Sequence, residues 1–93
     1  MKLLAVCGMG IGTSIILKMN AEKALQRLGV DGDVEVADIS SARGAASTAD
    51  LILTSGELAS ELGEVPPEIV VVDNFADVDE ITQKLSSAIE ARS

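Results

Sequence analysis

Four short runs of apolar residues alternate with four longer stretches of helical periodicity, and this alternation restricts the fold more than any other feature of the sequence. Strands that alternate with helices along a chain are typical of α/β domains, in which the strands form a parallel sheet. The predicted strands are residues 2–6, 34–39, 50–54 and 69–72. The predicted helices run from residue 13 or 14 to residue 28, and then cover residues 41–49, 57–62 and 78–89.

The composition of the first two strands predicts their places in the sheet. The first is apolar apart from Lys2, as in a strand covered on both faces, whereas Val34 and Val36 alternate with Glu35, as in an edge strand. Right-handed crossovers between four parallel strands then favour the order 2-1-3-4, with helices on both faces. In this order the winding reverses beside the carboxyl end of strand 1, where ligands of open α/β sheets bind. We therefore expect the whole chain to form one domain with its site at this point.

Charge and composition argue against several kinds of partner. There are 15 acidic residues against 7 basic ones, and the net charge of −8 repels nucleic acid phosphates and anionic lipid headgroups. Phe75 is the only aromatic residue on which a base could stack. No apolar stretch approaches the ~20 residues of a membrane-spanning helix. The single cysteine excludes an internal disulfide, so we expect a cytoplasmic protein. From the charge, the composition and the short apolar stretches we expect that it binds no nucleic acid and does not insert into the membrane.

The first predicted strand leads into a glycine-rich loop with the sequence Cys7-Gly-Met-Gly-Ile-Gly-Thr-Ser14. Its alternate glycines can adopt positive φ and turn backbone amides inward around an anion, and the hydroxyls of Thr13 and Ser14 add donors. The N-terminus of the first helix points at the same place, so a phosphate fits there without a metal or a cofactor. The predicted phosphate-binding residues are Gly8, Met9, Gly10, Ile11, Gly12, Thr13 and Ser14.

Cys7, at the entrance of this loop, is the candidate catalytic nucleophile. Helix amides favour the thiolate form of a cysteine, which is the form that attacks phosphorus. A lone cysteine after an apolar strand is more often a small buried hydrophobic residue, and glycines after a strand are also common as plain turns. The loop makes the reactive interpretation of Cys7 the better one, while spacing alone leaves an anion site and a plain turn as equal alternatives.

The loop Cys7–Ser14, running into Ile15-Ile16-Leu17-Lys18-Met19, resembles enzyme IIB components of the bacterial phosphoenolpyruvate-dependent sugar phosphotransferase system, and most of all the ascorbate type. Galactitol, mannitol and lactose types share the architecture with different loops. The resemblance implies a flavodoxin-like four-stranded sheet. It also implies that Cys7 takes a phosphoryl group from a phosphohistidine on enzyme IIA, and that a sugar held by the membrane component IIC, here L-ascorbate, is the final acceptor.

Two other functions use a similar loop. Low-molecular-weight tyrosine phosphatases and related arsenate reductases carry Cys-x5-Arg-Ser/Thr after strand 1, but Thr13 stands at the arginine position. Without that bidentate arginine, hydrolysis loses transition-state stabilisation, and a carrier benefits from the loss. A dinucleotide fingerprint, with Asp38 as the ribose-binding acid, would require glycine where Thr13 stands. The sequence therefore favours a phosphocarrier over a phosphatase or a nucleotide-binding module.

Other residues are expected near the same edge of the sheet. Segments 39–42, 54–56 and 73–75 follow predicted strands, so they should line the site. Met9 and Ile11 are predicted to point outward as a docking surface, the alternative being that they fold back over the first helix. Arg43 is expected to be the basic residue nearest this edge, and Asp73 is left out of the site as an ordinary strand-end residue.

Overall fold

The computed structural model describes residues 1–8 and 11–92, with side chains for residues 1–8 and 15–91. Strands and helices alternate as predicted. The strands are β1 (Lys2–Cys7), β2 (Asp33–Asp38), β3 (Leu51–Thr54) and β4 (Glu68–Val71). The helices are α1 (Ile11–Leu28), α2 (Ile39–Ala46), α3 (Gly56–Leu62) and α4 (Val78–Arg92).

The four strands form one parallel sheet in the order β2-β1-β3-β4, which confirms the predicted topology. In the pairing of β1 with β2, Cys7 is the partner of Asp38. In the pairing of β1 with β3, Leu3 is the partner of Leu51. β1 therefore has a paired neighbour on each side, with β2 paired as far as Cys7 and β3 as far as Ala5, next to the end where the order reverses.

A separate apolar core lies on each face of the sheet, because alternate residues of a strand point to opposite faces. Leu3 and Ala5 of β1 pack with residues of α1 and α4, whereas Leu4 and Val6 pack with residues of α2 and α3. All four of these β1 side chains are fully buried. This two-sided burial explains the nearly continuous apolar run of the first strand and confirms that helices cover both faces.

Helix boundaries differ from the prediction where a cap or a packing contact decides them. Ile39 begins α2 and does not extend the second strand, because Asp38 caps the helix by accepting a hydrogen bond from the Ser41 backbone N–H at 2.9 Å. Helix α2 ends at Ala46, before the predicted residue 49. Helix α1 begins at Ile11, so residues 11–14 belong to its first turn and not to an open loop.

The start of α4 forms only half of a capping box. Asp77 accepts a hydrogen bond from the Glu80 backbone N–H at 3.1 Å, as a capping residue does. The Glu80 carboxylate, however, accepts from the backbone N–H groups of Asp73 at 2.9 Å and Asn74 at 3.1 Å. These bonds lower the pKa of Glu80, the bond from Asp73 being the largest cause. One carboxylate thus fixes the segment between β4 and α4.

No helix within the described ranges is both long enough and apolar enough to cross a bilayer.

Candidate functional site

Cys7 is the last residue of the central strand β1 and is 3% exposed. The buried hydroxyl of Thr54, at the end of β3, donates a hydrogen bond of 2.9 Å to the Val6 carbonyl oxygen. This bond joins β3 to β1 one residue before the cysteine, and the pairing with Asp38 joins β1 to β2 at the cysteine itself. The position of the Cys7 backbone is therefore set by both neighbouring strands.

Gly8 follows Cys7 and packs closely against α3 without an unusual backbone. Its φ lies outside the left-handed region, so the prediction of positive φ is wrong at this residue. A Cβ atom at Gly8 would lie 2.9 Å from Cδ2 of Leu58, which is closer than normal contact allows. The Leu58 side chain of α3 thus occupies the space that any larger residue would need.

The rest of the predicted phosphate loop divides into two parts. Met9 and Gly10 lie outside the described residues, as do the side chains of Ile11, Thr13 and Ser14, so their predicted roles stay predictions. The backbone of residues 11–14 forms the first turn of α1, and placing Gly12 in this helix corrects its expected role as a loop glycine. The N-terminus of an 18-residue helix therefore begins at Ile11, four positions beyond Cys7. Its unpaired N–H groups are donors of the kind that bind phosphate.

A cavity of about 430 Å³ opens beside Cys7. Apolar side chains from three different segments form its walls, and these are Ile39, Leu58 and Phe75. The remaining lining residues are Cys7, Gly8, Ser55, Glu57 and Glu61. Segments 39–42, 54–56 and 73–75 each contribute one of these residues, which confirms that they line this edge. The α3 residues Glu57, Leu58 and Glu61 were not predicted, although their i, i+1, i+4 spacing puts them on one side of a helix.

Hydrogen bonds hold two walls of the cavity in place. Ser55 caps α3 by accepting from the Leu58 backbone N–H at 3.3 Å. The Asn20 side chain of α1, which is buried, donates to the Phe75 carbonyl oxygen at 2.8 Å. Phe75 also packs on the core shared by α1 and α4. The walls formed by Leu58 and Phe75 are therefore tied to α3 and α1.

The surroundings of Cys7 are acidic. The pKa of Asp38 falls to about 2, first because the Ser41 hydroxyl and then the Ser40 hydroxyl donate to its carboxylate. None of the described residues that line the cavity is basic. Arg43, expected to be the basic residue nearest this edge, does not line the cavity, but it donates through Nε to the Leu62 carbonyl oxygen at 3.1 Å and through Nη2 to the carbonyl oxygen of the lining residue Glu61 at 3.5 Å.

Within the described part of the chain, neither a metal-binding cluster nor Asp73 belongs to the site. These residues contain no group of three or more histidine, cysteine, aspartate or glutamate side chains that could hold a metal ion. Asp73 does not line the cavity, and its backbone N–H is bonded to Glu80.

Helix α1 carries an exposed apolar surface near its N-terminus. Ile15 is 52% exposed, Ile16 48% and Met19 51%. The predicted docking residues Met9 and Ile11 cannot be compared, because Met9 and the side chain of Ile11 lie outside the described residues. The sequence analysis missed Ile15, Ile16 and Met19. The available signal was that this helix has apolar residues outside the face that it buries.

Comparison with known proteins agrees with this geometry. Residues 2–87 match the family model of the lactose/cellobiose-specific IIB subunit of the phosphotransferase system. The chain is 36% identical over 88 residues to the ascorbate-specific EIIB component of Mycoplasma pneumoniae, covering 94% of this chain and 93% of that protein. It is 32% identical over 91 residues to the ascorbate-specific EIIB component of Escherichia coli O6:H1, covering 97% and 90%.

Two solved structures share the fold. The lactose-specific IIB domain from Streptococcus pneumoniae has a TM-score of 0.62 at 16% identity and covers 100% of this chain and 98% of its own. The cellobiose-specific IIB protein from Borrelia burgdorferi has a TM-score of 0.56 at 24% identity, with coverages of 98% and 90%. The matched family model and the relatives above 30% identity, together with a cysteine at the carboxyl end of a central parallel strand, lead to one conclusion: this chain belongs to the IIB family of the sugar phosphotransferase system.

Proposed function

We propose that Cys7 is the phosphoryl carrier of this IIB component, accepting the group from phosphorylated IIA and delivering it to a sugar bound by IIC on the cytoplasmic side of the membrane. The observation that carries the proposal is the position of Cys7. It ends the central strand, lines the cavity at the carboxyl edge of the sheet, and stands shortly before the N-terminus of α1. A nucleophile followed shortly by helix N-terminal N–H groups supports the proposal, because such groups bind phosphate.

Two displacements at phosphorus make up the reaction. In the first, the Cys7 thiolate attacks the phosphorus of the phosphohistidine, an S–P bond forms, the P–N bond breaks and the histidine nitrogen keeps the electron pair. In the second, a sugar hydroxyl oxygen attacks the same phosphorus, an O–P bond forms, the S–P bond breaks, and the thiolate is regenerated while the hydroxyl proton passes to a base or to water. Neither step requires a metal or a cofactor.

The proposed acceptor is L-ascorbate. The curated relatives that exceed 30% identity are described as ascorbate-specific, whereas the family model is described by lactose and cellobiose. The solved lactose and cellobiose neighbours fall below 25% identity and support the fold alone. The choice of sugar therefore rests on the relatives above 30% sequence identity and not on the structural neighbours.

The proposal predicts that phosphorylated IIA adds one phosphoryl group to the wild-type chain and none to the Cys7→Ser variant. A serine hydroxyl without an adjacent base is a much weaker nucleophile than a thiolate. The measurement is intact mass after incubation with phosphoenolpyruvate, enzyme I, HPr and a panel of IIA proteins. A phosphoryl group found on another residue, or on Cys7→Ser, would contradict the proposal.

A further inference from the structure

The cavity beside Cys7 has the size and walls of a site for a protein side chain. Its volume of about 430 Å³ lies in the lower part of the range of ~300–1,000 Å³ that is usual for binding pockets. Ile39, Leu58 and Phe75 give it apolar walls from three segments of the chain. Phe75 is the only aromatic residue of the protein. An apolar stem or tip from a partner would bury surface here.

The open side of the same cavity carries two carboxylates. Glu57 and Glu61 are exposed, line the cavity and stand four residues apart on α3, so they lie on one face of the helix. Neither takes part in any of the ion pairs found among the described residues, which are Lys2–Glu35, Arg27–Asp79 and Lys84–Glu80. Like charges at this spacing destabilise one another. A cation supplied from outside the chain would relieve that repulsion.

Phosphorylation of Cys7 would increase the negative charge in the cavity, so a cation would bind there more strongly. A phosphoryl group on a side chain adds about −1.5 to −2 charges at neutral pH. On Cys7 this charge would share the cavity with Glu57 and Glu61. The phosphorylated chain should therefore hold a basic partner more tightly than the unphosphorylated chain does.

The two exchange partners of a carrier meet this charge in opposite ways. A donor must bring an anionic phosphoryl group past Glu57 and Glu61, which oppose its approach. An acceptor brings no phosphoryl group, and the cytoplasmic loops of membrane proteins carry an excess of lysine and arginine. Charge complementarity thus selects the acceptor.

We propose that the cavity lined by Ile39, Leu58 and Phe75, with Glu57 and Glu61 at its opening, docks a lysine- or arginine-bearing segment from the cytoplasmic face of the membrane component that accepts the phosphoryl group. This inference rests on the proposed function of Cys7. It adds a docking surface to that site and proposes that the two carboxylates of α3 contact the acceptor. Release of the phosphoryl group then weakens the docking contact, so the spent carrier dissociates.

The test compares charging with docking in the double variant Glu57→Gln/Glu61→Gln. Charging by phosphorylated IIA is followed by intact mass, and docking by co-sedimentation of the phosphorylated chain with proteoliposomes that contain purified IIC. We expect docking to weaken by about fivefold at low salt, the loss of two exposed ion pairs. The difference should shrink in ~1 M salt, where the screening length falls to about 3 Å. Charging should become faster, because the carboxylates no longer repel the incoming group.

Two controls separate this site from general charge effects. The matched variant Glu64→Gln/Glu68→Gln changes the net charge equally at the opposite edge of the sheet and should dock like wild type. The variant Glu57→Asp/Glu61→Asp keeps the charge and should recover most of the docking. Empty liposomes of the same lipid composition should bind none of the proteins.

Several results would overturn the inference. Equal docking of the double variant and wild type would remove it, as would slower charging of the double variant, which would assign the cavity to IIA. Equal binding to empty liposomes would assign the contact to lipid and also remove it. If wild type acquires no phosphoryl group, the proposed function of Cys7 fails and the inference fails with it. Normal charging with unchanged docking refutes the inference alone.

Discussion

At the scale of single residues, the site depends on how little space surrounds Cys7. The cysteine is 3% exposed, yet it lines a cavity that Leu58 also lines. A Cβ atom at Gly8 would lie 2.9 Å from Cδ2 of Leu58, so it would fit only if the Leu58 side chain moved. The space next to Cys7 is thus limited by the Leu58 side chain.

Replacing Gly8 should reduce that space. In Gly8→Val, the added atoms should displace Leu58 and narrow the space in front of Cys7, with a stability cost of about 1–3 kcal/mol from overpacking. We expect slower charging by IIA, measured by intact mass, and a lower urea midpoint. In the double variant Gly8→Val/Leu58→Ala the space is restored, so charging should recover at least in part. Undiminished charging of Gly8→Val would show that the phosphoryl group does not enter by this side.

Thr13 separates a carrier from a phosphatase. It stands where related phosphatases have the arginine that binds the transition-state oxygens, and the chain contains no histidine that could act as an acid or a base. We expect hydrolysis of p-nitrophenyl phosphate far below the ~10 s⁻¹ typical of enzymes. The phosphorylated chain should decay slowly by itself and lose its group promptly to unphosphorylated IIA. Turnover near the typical enzymatic rate would favour a phosphatase.

At the scale of elements, caps at the carboxyl edge of the sheet fix the segments around the cavity. Asp38 starts α2, Ser55 starts α3, and Glu80 binds the backbone before α4. Asp38 ends β2, Ser55 follows β3 directly, and Glu80 lies in the first turn of α4. The first two side chains start the helices that carry Ile39 and Leu58, and Glu80 binds the two backbone N–H groups just before Phe75.

Two of these caps predict how stability depends on pH. The folded pKa of Asp38 is about 2 and that of Glu80 is also lowered, both below their unfolded values of about 3.9 and 4.3. The stability that each contributes is complete above its unfolded pKa and is lost as the pH falls through its folded pKa. The free energy of unfolding of wild type, measured in urea, should therefore decrease from about pH 4 toward pH 2. Asp38→Asn and Glu80→Gln should each flatten this dependence, and Asp33→Asn serves as a control.

At the scale of the whole molecule, β1 joins two apolar cores. Leu3 belongs to the core under α1 and α4, and Leu4 to the core under α2 and α3, with neither side chain exposed. The strand that carries Cys7 is thus buried on both faces, as is its neighbour β3. This burial gives Cys7 a well-packed support.

Truncation of β1 should therefore cost far more than truncation of the exposed α1 surface. Leu4→Ala is expected to lower the free energy of unfolding by about 2–5 kcal/mol, since it leaves a cavity in a packed core. Ile15→Ala, at a position that is 52% exposed, should change it by about 0.5 kcal/mol or less. The two variants are compared by urea unfolding. Similar losses would show that the α1 surface is covered in the free protein.

The sequence by itself determined the order of elements, the strand order and the place of Cys7, because apolar periodicity and strand composition report burial locally. The tertiary structure decided what surrounds the cysteine. Asn20 binds the Phe75 carbonyl oxygen from 55 positions away in the chain. Leu58 packs against Gly8, a contact that no local sequence pattern encodes. The start of α1 and the acidic opening formed by Glu57 and Glu61 likewise depend on how helices end against the sheet. Contacts between distant segments arise only when register and packing are fixed together, so the cavity could not be read from the sequence.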